Sequence, residues 1–284
     1  MDLASLSRRV VSEVRQVILD NMTREDVRKV TAVRATDLTR RIDQIAEDRA
    51  VECFKEEGIS ALLFSEEVGS EAIGGEPEVV AILDPLDGSL NFAKSIPFYS
   101  VSLAVGRYRR DFRLENVEAG AVMDIVRGDL YQAEQRRGAF LNGERLRIRQ
   151  EMRLSRKRAG EVLPRSLGEQ NKESLLVSLY AYGAKHPAGG LAKLLRFAKT
   201  RTLGSLALEL CYIASSKLDA VLDLRRKLRV VDIAAGKLIL EEAGGVVREV
   251  GGNLLADPLE KGVAGFSIIA ARDNTLLSRL VKQT

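Results

Sequence analysis

The run Asp84-Pro85-Leu86-Asp87-Gly88-Ser89 follows five apolar residues, 79–83, that read as a buried strand. An acidic pair at this spacing, released at a strand's carboxyl end, can bring two carboxylates and the intervening Leu86 carbonyl onto a hard cation. Pro85 stiffens the turn between the acids, and Gly88 leaves room for backbone N–H groups to approach a phosphate. The same residues also suit a plain polar turn whose aspartate caps the next helix. Glu66-Glu67 stands in the corresponding place after a second apolar run, 61–64, so two neighbouring strands would aim acid at one cleft. Two glutamates after a strand are otherwise a solvated strand end. Asp232 precedes Ile233-Ala234-Ala235-Gly236, where a carboxylate opening a helix is satisfied by free amides whatever else it does. The small residues behind it permit close helix packing, which would carry Asp232 to the same cleft.

Other chemistries lack their residues. His186 is the one histidine, which excludes clustered-histidine metal sites. Cys53 and Cys211 each fall among apolar residues at helical spacing and form no CxxC motif, so both read as buried thiols. There is no Cys-x5-Arg loop, no DxD nucleophile pair and no GxxxxGK[ST] loop. Any metal is therefore held mainly by oxygen, which suits Mg2+.

The elements that must position these residues follow from periodicity. Leu3, Leu6, Val10, Val14 and Ile18 form one helical face, and 41–54 forms a second helix with Asp43 and Glu47 beside its apolar stripe. Between them, 31–40 reads as a mobile loop. Strands follow at 61–64, 79–83, 100–107, 118–126 and 129–133, with a hairpin turn at Asn142-Gly143, so the first half is rich in antiparallel pairing. The second half alternates strand and helix at 174–181, 188–198, 200–203, 205–216 and 218–223. A helix over 231–243 closes at Gly244-Gly245, followed by strands near 246–250 and 267–271 and a terminal helix. The 284 residues suffice for one large α/β unit. Their 44 basic and 40 acidic side chains leave a net charge of +4, too balanced to imply nucleic acid. The basic stretch 145–158 reads as an exposed hairpin edge, with an anion-binding patch as the alternative. No apolar run is long enough for a membrane span, and the start carries no signal peptide, so a cytoplasmic protein is expected.

DPLDGSLNF at 84–92 and VDIAAGKLILEEAGG at 231–245 resemble the DPxDGTxNF and WDxAAGxxxxxEAGG signatures of the inositol monophosphatase family. SEE at 65–67 is similar to the family's GEE, and RTLGSLALELC at 201–211 to its phosphate-and-substrate segment. Ser89 stands where most members carry Thr, Val231 where they carry Trp, and Ser65 where they carry Gly; none of these removes a ligand. The resemblance is strongest to archaeal members that act on both inositol monophosphate and fructose 1,6-bisphosphate.

That resemblance implies an α/β (α+β) fold, a layered α-β-α-β-α sandwich. It would be built from halves 1–155 and 156–284 acting as one integrated catalytic unit. It implies two or three Mg2+ per site, held by Glu66, Asp84, the Leu86 carbonyl, Asp87 and Asp232, with Asp43 at a looser position for which Asp37 competes. Gly88 and Ser89 bind phosphate; Gly204, Ser205 and Leu206 face the substrate; Glu209 lies near its hydroxyls; Arg201 and Arg225 are further contacts, with Arg226 beside them. The reaction implied is hydrolysis of a small phosphate monoester by a metal-activated water, with Asp43, Glu66 and Ser89 catalytic, in a homodimer. The alternatives are a 3′-phosphoadenosine or NADP phosphatase and a catalytically idle regulatory or RNA-binding relative. The aromatic content, 5% with no Trp, offers few surfaces on which a base can stack.

Overall fold

The computed structural model describes residues 1–33, 38–66, 69–148, 175–183, 196–250, 255 and 265–282. Helix α1 (Leu3–Asn21) starts at Asp2, whose side chain accepts from the Ala4 and Ser5 amides, and buries the stripe read from its sequence. Helix α2 (Arg41–Glu56) buries Ile42, Ala46, Ala50 and Cys53. Both pack on one face of a sheet of β3 (Ala61–Ser65), β4 (Gly69–Ile73), β5 (Val79–Asp87), β6 (Ser100–Arg107), β7 (Ala119–Asp124), β8 (Leu130–Glu134), β9 (Gly138–Leu141) and β10 (Glu144–Arg145). Its order is β10-β9-β8-β7-β6-β5-β3-β4. All neighbours pair antiparallel except β3 with β5.

The period of two sorts β5 between two cores. Val79, Ala81 and Leu83 join the core beneath α1 and α2, whereas Val80 and Ile82 face helices α4 (Leu206–Ala214) and α5 (Ala234–Glu242). Beyond those helices lies a second sheet of β11 (Leu175–Tyr180), β12 (Ala198–Arg201), β13 (Ala220–Leu228), β14 (Val246–Glu249) and β15 (Phe266–Ala271), in the order β12-β11-β13-β15-β14. Its inner residues Val221, Ile268 and Ala270 share the α4–α5 core, and its outer residues Leu222 and Ile269 pack on α6 (Asn274–Val281). The layers therefore run α-β-α-β-α, as expected. A short helix, α3 (Ser89–Ala93), leaves the end of β5.

Three expectations change, and one holds as far as it is described. The 31–40 segment is partly a hairpin, β1 (Val30–Val33) paired with β2 (Leu38–Arg40); 34–37, with Asp37, lie outside the described residues. The strand expected at 200–203 is β12, two residues earlier, and most of the 188–198 helix lies outside the described residues. The basic stretch is described only to 148, where Arg145 does sit on edge strand β10. Helix α5 starts at Ala234, so Asp232 stands before it in a turn and does not cap it. His186 and the proposed boundary near 155 also lie outside the described residues. Cys53 and Cys211 are buried free thiols.

The small residues of α5 matter as read. A Cβ on Gly236 would lie 3.0 Å from the Ala207 carbonyl oxygen of α4, an approach that only glycine permits without displacement. Gly236→Val should therefore lower stability by about 3 kcal/mol, the upper end for overpacking. Thermal melting checks this, and an unchanged melting temperature would mean that the α4–α5 contact yields freely.

Candidate metal and phosphate site

Parallel pairing of β3 with β5 sets Ser65 opposite Leu83, so Glu66 and Asp84 leave adjacent strands at the same level. Asp84 faces Ser102 of β6 and Asp87 faces Ser100, three residue steps against two. This bulge is what lets the acids cooperate, because residues three apart on a regular strand point to opposite faces. Asp84 is held from within the turn, where the Leu86 amide donates to its Oδ1 at 3.1 Å. Asp232 comes from the other half. Its Oδ2 accepts from the Arg229 amide at 2.6 Å, closing the turn that α5 follows. Glu66, Asp84 and Asp232 thus offer carboxylate oxygens within 4.8 Å of one another.

Asp87 ties the end of β5 to the start of α4. Its Oδ2 accepts from Ser205 Oγ at 2.7 Å and from the Ala207 amide at 2.8 Å, and Ser205 Oγ also meets Ser100 Oγ at 3.0 Å. Beside it, Gly88 takes φ +97°, and a Cβ there would lie 3.1 Å from the Gly204 carbonyl oxygen. The Gly204–Leu206 segment therefore lies against the DPLDGS turn.

The electrostatics are those of enforced crowding. Burial, then the charges of Glu66, Asp87 and Asp232, push Asp84 well above the usual carboxylate range. Burial also raises Asp87 to about 7 against the hydrogen bond from Ser205. The donor set is all hard oxygen and short of positive charge, which fits Mg2+.

Two arginines escaped the sequence reading. Arg229 Nη1 lies 2.6 Å from Glu66 Oε1, and its Nη2 lies 3.0 Å from Asp232 Oδ1. Arg40 is buried and places Nη1 3.3 Å from Ser89 Oγ. Their surroundings match: Asp43 Oδ2 accepts from the Arg40 amide at 2.6 Å, as Asp232 does from that of Arg229. The shared Arg-x-x-Asp spacing, 40–43 and 229–232, was the available signal. Asp43 thus sits at the start of α2, joined to Ser89 through Arg40, outside the tight cluster of three.

The other residues expected at the substrate have partners within the fold. Glu209, expected at substrate hydroxyls, is fully buried, because its Oε1 accepts from Ser178 Oγ at 2.8 Å and from the Leu203 amide at 2.7 Å. It positions the 203–205 turn from behind. Arg225 clamps the buried carboxylate of Asp223 and stacks against Tyr180 and Tyr182. Arg201 is exposed at the end of β12 with its guanidinium on the Thr200 carbonyl, and exposed Arg226 donates its amide to Ser267.

Burial raises the Glu209 carboxyl from 4.5 to about 7. The folded chain then holds this proton more tightly than the unfolded chain, so its contribution to stability is complete below about pH 4.5 and is lost as pH rises to about 7. Glu209→Gln should remove that component. Melting curves in chelator from pH 5 to 8 should fall less steeply for the variant; parallel curves would contradict the assignment.

The inositol monophosphatase family model matches residues 2–284. A fructose-1,6-bisphosphatase/inositol-1-monophosphatase of Methanothermobacter thermautotrophicus is 35% identical, over 96% of this chain and 93% of that protein. A bifunctional NADP phosphatase/NAD kinase of Methanococcus maripaludis is 34% identical over 89% of this chain, which spans 44% of that longer protein. The crystal structure of an inositol monophosphatase-fructose 1,6 bisphosphatase superposes with a TM-score of 0.78 at 27% identity, covering 100% of both chains. With that match along the chain and its carboxylates converging beside the DPLDGS turn, the chain belongs to the inositol monophosphatase family.

Proposed function

We propose that this chain is a magnesium-dependent phosphatase of sugar and polyol phosphate monoesters, inositol 1-phosphate and fructose 1,6-bisphosphate among them. The observation that carries this reading is the convergence of Glu66, Asp84 and Asp232 from both halves of the fold within 4.8 Å. Glu66, Asp84, the Leu86 carbonyl, Asp87 and Asp232 would hold the ions, two or three in number, with Asp43 at the loosest. Bound Mg2+ supplies Lewis acidity that makes water nucleophilic near neutral pH and neutralises the leaving oxygen.

The chain's own residues do the positioning. Ser89 and Asp43 orient the attacking water, and Arg40 ties them together through its amide and guanidinium. Gly88 and Ser89 seat the phosphate, while Ser205 and the Ala207 amide fix the plane of the Asp87 carboxylate. Gly204 to Leu206 form the opposite wall. The substrate classes follow the activities for which the relatives are named, and a homodimer follows from the family resemblance. No helix among the described residues is long and apolar enough to cross a membrane.

A second reading has its own observation. Tyr180 and Tyr182 are joined by the Arg225 guanidinium, 4.4 and 5.0 Å from the ring centroids, and the Tyr180 hydroxyl accepts from the Gly204 amide at 2.9 Å. Exposed Tyr182 gives a base the stacking surface that the composition did not promise, which favours a nucleotide monoester such as NADP or a 3′-phosphoadenosine compound. An idle regulatory or RNA-binding role gains no support from a site that retains its carboxylates.

Asp87→Asn retains an oxygen to accept from Ser205 and Ala207, so the fold should survive while phosphate release falls at least about a hundredfold. Turnover near wild type at saturating Mg2+ would refute the ligand set. Arg201→Ala, at an exposed position, should raise KM for fructose 1,6-bisphosphate about tenfold more than for inositol 1-phosphate if it binds the remote phosphate. Equal effects on the two substrates in steady-state kinetics would remove it as that contact.

A further inference from the structure

We infer that Arg229 is a tethered cation that holds Glu66 and Asp232 together and competes with the divalent ion for them. The inference rests on the reading of those carboxylates as metal ligands. The guanidinium lies between the two acids: Nη1 is 2.6 Å from Glu66 Oε1 and Nη2 is 3.0 Å from Asp232 Oδ1. The backbone of the same residue grips the second oxygen, its amide donating to Asp232 Oδ2 at 2.6 Å. One residue thus engages both oxygens of one acid and spans to an acid from the other half of the fold.

An ordinary buried ion pair would be a fixed strut. Three features make this one displaceable. Arg229 follows the end of β13 and lies before the turn that leads to α5, so its side chain can turn away without breaking a sheet ladder. Its side chain keeps 22% of its surface in solvent, so it already has water to turn into. The oxygens it contacts belong to two of the three acids whose ligand atoms converge within 4.8 Å, so an ion drawn by that cluster meets the guanidinium first. A single charge spread over a planar group is a weaker partner for three carboxylates than a compact divalent ion, but it is always present.

Two effects follow. Without metal, Arg229 offsets the mutual repulsion of Glu66, Asp84 and Asp232 and keeps the two halves joined at the cleft. With metal, the ion must expel Arg229, so the measured affinity is lower than the carboxylates alone would give.

Calorimetric titration of Mg2+ into chelator-treated protein, paired with melting in chelator, tests this on wild type and Arg229→Met. The variant should bind its tightest Mg2+ at least about tenfold more strongly. In chelator it should melt lower than wild type, with the gap closing as Mg2+ saturates. Arg229→Gln, which keeps polar bulk in the cleft, should show the same ordering if Arg229→Met folds poorly. Equal affinity in wild type and variants, or weaker binding in the variants, would overturn the inference and leave the metal site standing. Failure of wild type and variants alike to bind Mg2+ would overturn both.

Discussion

Like charges are forced together where β3 and β5 end, and much of the surrounding structure answers that repulsion. Asp84 is 1% exposed, Asp232 8% and Asp87 9%, so water does little to screen them. Parallel pairing brings Glu66 level with Asp84, and the bulge turns Asp87 to the same side. The fold could relax this crowding by slipping one strand by a residue. It does not, because the alternating apolar residues of β5 fill two different cores, and a slip would turn each set into the wrong one. Packing of both sheet faces thus holds in place an electrostatic arrangement that the charges alone would disperse.

The second half of the chain supplies the partners that make this tolerable. Asp87 is bonded by Ser205 and by the first turn of α4, and Arg229 reaches across to Glu66. Behind them, Glu209 fixes the Leu203 amide and Tyr180 the Gly204 amide, so the turn opposite Gly88 is set by a buried polar network. Helices α4 and α5 lie between the two sheets and belong to the core that both share. The site therefore lies where segments from the two sheets meet, and the groups that shape it are mostly remote in sequence.

What was legible in the sequence was what short-range periodicity encodes. The apolar stripe of α1, the buried apolar run of β5 and the Asn142-Gly143 hairpin each need only neighbouring residues, and they stand as read. The carboxylates were legible as types at strand ends, and the resemblance to the inositol monophosphatase signatures gave them a common purpose. The bulge between Asp84 and Asp87 was not legible, because it depends on register against β6. Arg229 and Arg40 were passed over because a lone arginine in a charged segment is ordinarily solvated, and only the folded cleft shows what they touch. Asp232 looked like a helix cap because acid before a helix is the commonest cap, but here its side chain is spent on the Arg229 amide. The motif of Glu209 points to the substrate, and its burial and its bond from the Leu203 amide, which also brace the turn, were not legible.

If the convergent carboxylates hold the ions, catalysis by this chain requires magnesium. Phosphate release from inositol 1-phosphate by the wild-type chain, stripped with chelator and titrated back with Mg2+, tests it most directly. Turnover should be absent in chelator and rise with Mg2+ to saturation. Turnover that persists undiminished in chelator would contradict the claim, since the cluster of Glu66, Asp84 and Asp232 would then have no part in catalysis that magnesium governs.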